Sequence, residues 1–317
     1  MELRIIISNT TDPYVNVAVE NYLMSLPADD SVTMYLWKNQ RTVVVGKNQN
    51  PFAECNVDLL KSEDGRVMRR TTGGGAVYHD DGNINFSFVT THDHYNLQRQ
   101  FSVIKEAINR FGLHAETSGR NDLLCDGRKF SGNAFSKTAT RSLHHGTILI
   151  KSNVSDLNRY LKVSESKLHK HGVASVQSRV VNLSELADVT SENIVPQLVA
   201  AFEQVYGQSS VVVDFEELKN NKRVRQLADT YGSDAWIYGK WRHFVATKKG
   251  AFGWGEVAIS FDIDEEKAVI NNIAIASDGL ELDAIEQARQ LLTGASTKEK
   301  PLNDNPVVND IVNLVYS

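Results

Sequence analysis

Leu97, Phe101, Ile104, Ile108 and Phe111 recur at alternating spacings of four and three, which is one apolar stripe of an amphipathic helix. The pattern predicts a helix over 96–111 whose stripe faces a core. A second helix is expected over 16–26 (NVAVENYLMSL), stopped by Pro27, with others near 154–161, 191–206 and 215–231. Elsewhere the pattern changes. VTMYLW (32–37) and TVVVG (42–46) are apolar, largely β-branched runs separated by the turn-forming KNQR, and they read as strands. DLLCDGRKFSG (122–132) predicts two short strands joined at Asp126-Gly127, a hairpin turn pair. LHHGTILI (143–150) is a further strand.

The character of the chain shifts at YGKWRHFVATKKG (238–250), which is basic and interrupted. Beyond it, GEVAISFDI places Val257, Ile259, Phe261 and Ile263 on one face, DEEK turns, AVINNIAIA returns and LDAIEQARQLL is an amphipathic helix. Two strands and a helix predict a small appended domain. The expected organisation is therefore α+β: a large domain over 1–240 with mixed, mostly antiparallel sheets flanked by helices, and a small α+β C-terminal domain over 241–317. A chain of 317 residues is long enough for that division.

Composition narrows the class. The N-terminal apolar run in MELRIIISNTTDP is too short for a signal peptide, and no stretch approaches the length of a membrane span. Two cysteines without CxxC spacing, Cys55 and Cys125, predict neither a disulfide framework nor a structural zinc site, and point to a reducing cytoplasm. A net charge of −5 exerts no general pull toward nucleic acid or an anionic membrane.

Candidate chemistry begins at RRTTGGGAVYHDDGN (69–83). Three consecutive glycines are costly in conformational entropy unless the backbone must turn sharply or come very close to something. The arginines beside them suggest an anion. Gly239-Lys240 is followed by Trp241, so no Walker loop is present, and AVYH after Gly75 is strand-like where a dinucleotide-binding turn needs a helix. A strand-to-strand loop can still cradle an anion in a nest of N–H groups. A plain tight hairpin with surface arginines is the other reading. Lys129 follows the Asp126-Gly127 turn inside a strand pattern, either solvated or aimed into a site. The pairs His79-Asp80, His92-Asp93-His94 and His144-His145 match no standard metal motif, and Cys125 is either a nucleophile or a small buried hydrophobe.

The string RRTTGGGAVYHDDGNINFSF (69–88) resembles the signature of lipoate–protein ligases, within the biotin/lipoate ligase superfamily. The resemblance extends to DPYVNVAVENYL (12–23), to Trp37 with VVVGKNQNP (43–51), to NDLLCDGRKFSGNA (121–134), to LHHGT (143–147) and to VASVQSRVVNLSEL (173–186). It implies an enzyme that joins lipoate to ATP, forming lipoyl-AMP and pyrophosphate, then passes the lipoyl group to a lysine of an acceptor domain. The acceptors implied are 2-oxoacid dehydrogenase E2 subunits and the glycine cleavage H protein, with Mg2+ arriving with ATP. Bringing a carboxylate to an α-phosphate calls for fixed positive charge more than for a nucleophile. By resemblance, Lys129 contacts both the lipoyl carbonyl and the α-phosphate, and Arg70 holds phosphate. Gly73 and Gly74 permit close approach, and the backbone of Gly75, Ala76, Val77 and Tyr78 wraps the adenylate. Asn83 and Asp122 are further nucleotide contacts, and Gly75 and His79 join Lys129 around lipoate.

The sequence departs from the family at YGKWRHF, where many relatives carry an Asn-Pro pair after the Gly-Lys, and the C-terminal domain is short. Both bear on how efficiently free lipoate is activated. The cluster Lys240, Arg242, His243, Lys248 and Lys249 is either a solvated linker or a surface for an acidic acceptor. The alternatives are an octanoyl or lipoyl amidotransferase working through a cysteine thioester, a biotin ligase, and a non-catalytic lipoate-binding protein.

Overall fold

The computed structural model describes residues 1–119, 121–162, 180–239, 246–264 and 266–317. The first half runs β1 (Glu2–Ile7), α1 (Pro13–Ser25), β2 (Ser31–Trp37), β3 (Thr42–Val45), α2 (Pro51–Glu54), α3 (Val57–Ser62), β4 (Arg66–Arg69), β5 (Val77–His79), β6 (Asn83–Thr91) and α4 (Leu97–Asn109). It continues through β7 (Ala115–Ser118), β8 (Asp122–Cys125), β9 (Arg128–Lys137), β10 (Arg141–Leu149), α5 (Val154–Tyr160), α6 (Ser191–Tyr206), β11 (Ser210–Val212), α7 (Phe215–Asn220), α8 (Lys222–Gly232) and α9 (Asp234–Tyr238). The C-terminal part holds β12 (Ala246–Phe252), β13 (Gly255–Asp264), β14 (Val269–Ser277), α10 (Leu282–Leu292) and α11 (Pro306–Tyr316).

Eight strands form the main sheet in the order β11-β1-β2-β6-β10-β9-β8-β7. β11, β1 and β2 pair in parallel and the remaining pairs are antiparallel. Alternation of side chains splits β2 between two cores. Met34 and Leu36 join Phe86 and Phe88 under α4 and α6, while Tyr35 and Trp37 join Val19 of α1 and Tyr231 of α8 on the other face. A second sheet, β4-β3-β5, extends this latter core through Val44 and Met68. The expected mixed, mostly antiparallel α+β architecture is the observed one.

Two elements differ from expectation. The helix expected over 215–231 is broken at Asn221, whose backbone is extended while its side chain caps α8 by accepting from Arg223 N. The small unit has three strands and two helices, not two and one. Its edge strand β12 alternates exposed positions, including Lys249, with half-buried ones, so no apolar run announces it. Val257, Ile259 and Phe261 enter its core with Val308, Ile311 and Val312 of α11. Ile263, expected on the same face, is exposed, beyond a register shift between Ser260 and Asp262. The expected boundary at 240/241, together with Lys240, Arg242, His243 and residues 173–179 of the 173–186 motif, lies outside the described residues.

Candidate active site

The glycine loop leaves β4 and enters β5, but these strands do not pair with each other. They flank β3, parallel on one side and antiparallel on the other. The loop must therefore cross the end of β3, and the tight-hairpin reading is set aside. Where it crosses, Gly46 lies so close beneath it that a Cβ there would stand 2.3 Å from Gly74 O. Gly74 has φ +93°, a region open to glycine. Gly73 is confined by the small domain: a Cβ on it would meet Gly279 O at 2.5 Å. Gly75 has nothing among the described residues within 4 Å of a Cβ built on it, its chain neighbours aside.

Neither arginine is on the surface. Arg70 is buried and bends back on its own loop, donating from Nη2 to Gly73 O (2.7 Å) and Gly75 O (2.8 Å) and from Nε to Thr72 Oγ1 (3.1 Å). The guanidinium expected to hold phosphate thus shapes the loop that surrounds it. Arg69 is also buried, and it donates to Gly46 O, Lys47 O and Gln49 O at the exit of β3 and to Trp236 O and Ile237 O of α9. It clamps the exit of β3 and α9 to its own strand, β4. Burial lowers both guanidinium pKa values to about 10, so both remain charged at neutral pH.

A chain of buried polar groups that sequence reasoning missed stands behind this loop. Thr72 Oγ1 lies 2.8 Å from His145 Nε2, and His145 Nδ1 lies 2.8 Å from Glu20 Oε2. Ser87 Oγ donates to the same carboxylate oxygen and accepts from Trp37 Nε1 at 3.0 Å. The available signal was the pair Asn16 and Glu20, one helical turn apart on the buried face of α1.

Lys129 lies on β9, with its ammonium 2.7 Å from Asp122 of β8. Asp126 (φ 51°) and Gly127 (φ 70°) make the expected turn. The ladder then slips: Leu123 pairs with Ser131 but Leu124 with Lys129, leaving Phe130 as an extra residue. A bulge of this kind re-aims the neighbouring side chain. Gly132 supplies the room, since among the described residues, its chain neighbours aside, the atoms within 4 Å of a Cβ there are Lys129 Cε and Nζ, both at 3.0 Å. Val181 N donates to Lys129 O at 2.9 Å and holds the strand from its other side.

β10 joins the two halves of the site. His145 reaches Thr72 of the glycine loop, and Thr147, two residues on and on the same face, accepts from Gly132 N at 3.2 Å.

The other expected residues divide by what their side chains can offer. Tyr78 packs on Tyr160 in the core, so only its backbone is available. His79 is buried, and burial together with the charge of Arg70 lowers its pKa to about 3. A neutral ring whose Nδ1 accepts from Asn39 Nδ2 (3.2 Å) carries its proton on Nε2, which has no partner among the described residues. Asn83 Oδ1 is likewise buried and unpartnered there. Cys55 and Cys125 are buried, and burial raises both thiols, Cys55 to about 11. Neither suits a thiolate nucleophile. Among the described residues no group of three His, Cys, Asp or Glu is placed to hold a metal.

Residues 12–203 match the model of the lipoyl protein ligase A/B catalytic domain. The lipoate-protein ligase A of Psychrobacter cryohalolentis is 36% identical over 304 residues, covering 92% of this chain and 88% of that protein. P. falciparum LipL1, solved in complex with lipoate, superposes with a TM-score of 0.85 at 28% identity, covering 99% of each chain. A lipoate-protein ligase A bound with ATP superposes with a TM-score of 0.66 at 25% identity, over 75% of this chain and 99% of that one. The glycine loop, the Lys129 hairpin and the β10 strand that joins them all fall within the matched residues, and the chain belongs to the lipoyl protein ligase A/B catalytic-domain family.

Proposed function

We propose that this protein condenses lipoate with ATP to lipoyl-AMP and pyrophosphate, then transfers the lipoyl group to a lysine of a protein acceptor. The reading rests on one arrangement: the Lys129 ammonium, fixed at 2.7 Å from Asp122 and accommodated by Gly132, on a strand tied through β10 to the glycine loop. In the first step a lipoate carboxylate oxygen attacks the α-phosphorus and pyrophosphate leaves. The two reactants are anions, and Lys129 stands between the carboxylate and the α-phosphate as their shared counter-charge. In the second step the acceptor amine attacks the lipoyl carbonyl carbon, and AMP leaves with the electron pair of the broken C–O bond.

The remaining residues take supporting roles. Gly75, Ala76, Val77 and Tyr78 present backbone to the adenylate, with Arg70 holding the loop in shape and lending it positive charge. Asp122 orients Lys129. The unpartnered His79 Nε2 and Asn83 Oδ1 offer one donor and one acceptor to lipoyl-AMP. Mg2+ enters with the triphosphate as part of the substrate. The acceptors are lipoyl domains of 2-oxoacid dehydrogenase E2 subunits or the glycine cleavage H protein, met in the cytoplasm. Among the described residues no helix is long and apolar enough to cross a membrane.

Lipoate-dependent ATP–pyrophosphate exchange tests the reading. Loss of the Lys129 contact costs on the order of 10²–10³ in rate, the scale for one preorganised electrostatic donor. Lys129→Ala should therefore lose exchange, while Cys55→Ser with Cys125→Ser keeps it. Exchange near wild type in Lys129→Ala, or an acyl group on the denatured enzyme released by hydroxylamine, overturns the assignment.

A further inference from the structure

His144 lies behind the sheet, fully buried and ringed by Phe86, Phe88, Phe101 and Phe135 with centroids 5.0–5.8 Å away. It faces away from the glycine loop, and the proposed chemistry makes no use of it. An imidazole inside an aromatic cage nevertheless costs more to bury than the phenylalanine that would fill the same space. Its polar contacts say what it does there.

His144 Nε2 lies 2.9 Å from Asn133 Oδ1, and its Nδ1 lies 3.0 Å from the Gln100 amide. Asn133 Nδ2 is already committed, donating to Asn121 O at 3.0 Å, so the Asn133 oxygen faces the ring and accepts from it. Burial holds His144 neutral. A neutral ring has one N–H, and that proton is therefore on Nε2. The Gln100 atom beside Nδ1 is Oε1, which cannot donate to an unprotonated nitrogen, so a half-turn of that amide is required. It places Nε2, which has no partner among the described residues, as the donor to Nδ1. The direction of every bond in the chain is then set, from Gln100 to His144 to Asn133 to Asn121.

The chain ends at the site. Asn133 and Asn121 exchange two further bonds, Asn133 N to Asn121 O and Asn121 Nδ2 to Asn133 O, both at 2.9 Å. Three bonds thus pin the residue that immediately precedes Asp122. Space confirms that Asn133 is placed deliberately: a Cβ on Gly146, its partner across β10, would stand 2.4 Å from Asn133 Oδ1.

We infer that His144 is a positioning residue for the Asp122–Lys129 pair, acting from the opposite face of the sheet through Asn133 and Asn121. The inference rests on the proposed role of Lys129. Displacing a reacting group by about 1 Å costs up to roughly 10²-fold in rate, so the chain has leverage without touching a substrate.

The test uses the full-length protein and steady-state ATP–pyrophosphate exchange, with melting temperature recorded for each variant. His144→Phe keeps the cage filled but removes the donor to Asn133. Its kcat should fall about tenfold or more, on the same displacement argument, with KM for ATP and lipoate nearly unchanged. His144→Gln can return an N–H to the position of Nε2 and should recover most of that loss, although its packing is no better. Asn133→Asp keeps an acceptor for His144 but cannot donate to Asn121 O, so it should reproduce the kcat loss and carries the test where His144→Phe does not fold. Unchanged kcat in folded His144→Phe, or equal losses in the Phe and Gln variants that follow their melting temperatures, overturns the inference. A fully active Lys129→Ala measured alongside overturns the Lys129 reading instead.

Discussion

The Lys129 ammonium reaches Asp122 across a hairpin in which β9 carries one residue more than β8, and it does so over a glycine. The contact is 2.7 Å long, and both side chains are only about two-thirds buried, with 36% and 35% exposed. A pair this exposed contributes little to stability after screening. Its geometry concerns where the charge is held.

Gly132→Ala isolates that geometry. The backbone at Gly132 is not in the left-handed region, so alanine is sterically allowed there. Among the described residues the new methyl meets the far end of Lys129, at 3.0 Å, and that flexible end moves aside. We expect nearly unchanged thermal stability with a loss of adenylation approaching that of Lys129→Ala. Lys129→Arg should fail as well, because a planar fork does not replace a compact ammonium. Full activity in Gly132→Ala would show that the ammonium works from another position.

The three loop glycines should respond differently. Gly74→Ala forces a side chain into φ +93° with Arg70 Nη2 at 2.8 Å, and should disrupt the loop and both half-reactions. Gly75→Ala meets nothing within 4 Å among the described residues, so it should fold as well as the parent. If the adenylate lies against Gly75, the added methyl raises the KM for ATP. Equal behaviour of the two variants in ATP titrations and melting curves contradicts this division.

The small domain touches the glycine loop directly, with Gly74 N donating to Gly279 O at 3.3 Å, and it touches the exit of β3, with Ser277 N donating to Asn48 O at 3.1 Å. Adenylation must orient a triphosphate and exclude water, which favours a covering domain. Transfer needs only a bound anhydride and an amine. Truncation after Tyr238 should therefore impair ATP-dependent modification of an acceptor far more than modification from supplied lipoyl-AMP. Equal losses in a truncated protein shown to be folded would place the small domain at the acceptor site.

Acid should destabilise the fold through its buried histidines. His79 is lowered to about 3 and His144 well below the ordinary imidazole value, in both cases first by burial. The unfolded chain binds protons below about pH 6.5 while these native rings do not. Stability is thus fully present above that pH and falls as pH decreases toward the native values, by roughly 1.4 kcal/mol per pH unit for each such group. Urea midpoints should drop between pH 7 and pH 5. A constant or rising midpoint excludes neutral burial of both rings.

Much of the fold was legible because its signals are local. The α4 stripe, the α6 span and the Asp126-Gly127 turn each depend on residues close in sequence, whose period or turn chemistry holds wherever the element is placed. The split of α7 from α8 was local too, but Asn221 reads as an ordinary polar helix residue until its side chain is seen capping α8. β12 escaped because an edge strand with one exposed face has no apolar run.

By itself the sequence determined the class of elements, the Gly-rich loop beside two arginines and a lysine beyond a tight turn. Those properties follow from backbone freedom, periodicity and side-chain charge, which are intrinsic to short segments. Tertiary structure alone decided what each residue does there. Arg69 and Arg70 are adjacent and chemically identical, yet one gathers carbonyls from β3 and α9 while the other curls into its own loop. Glu20 and His145 meet across 125 positions, and Gly73 is confined by Gly279. Such assignments depend on strand order and on which face of the sheet a residue occupies. Pairing between distant segments sets both.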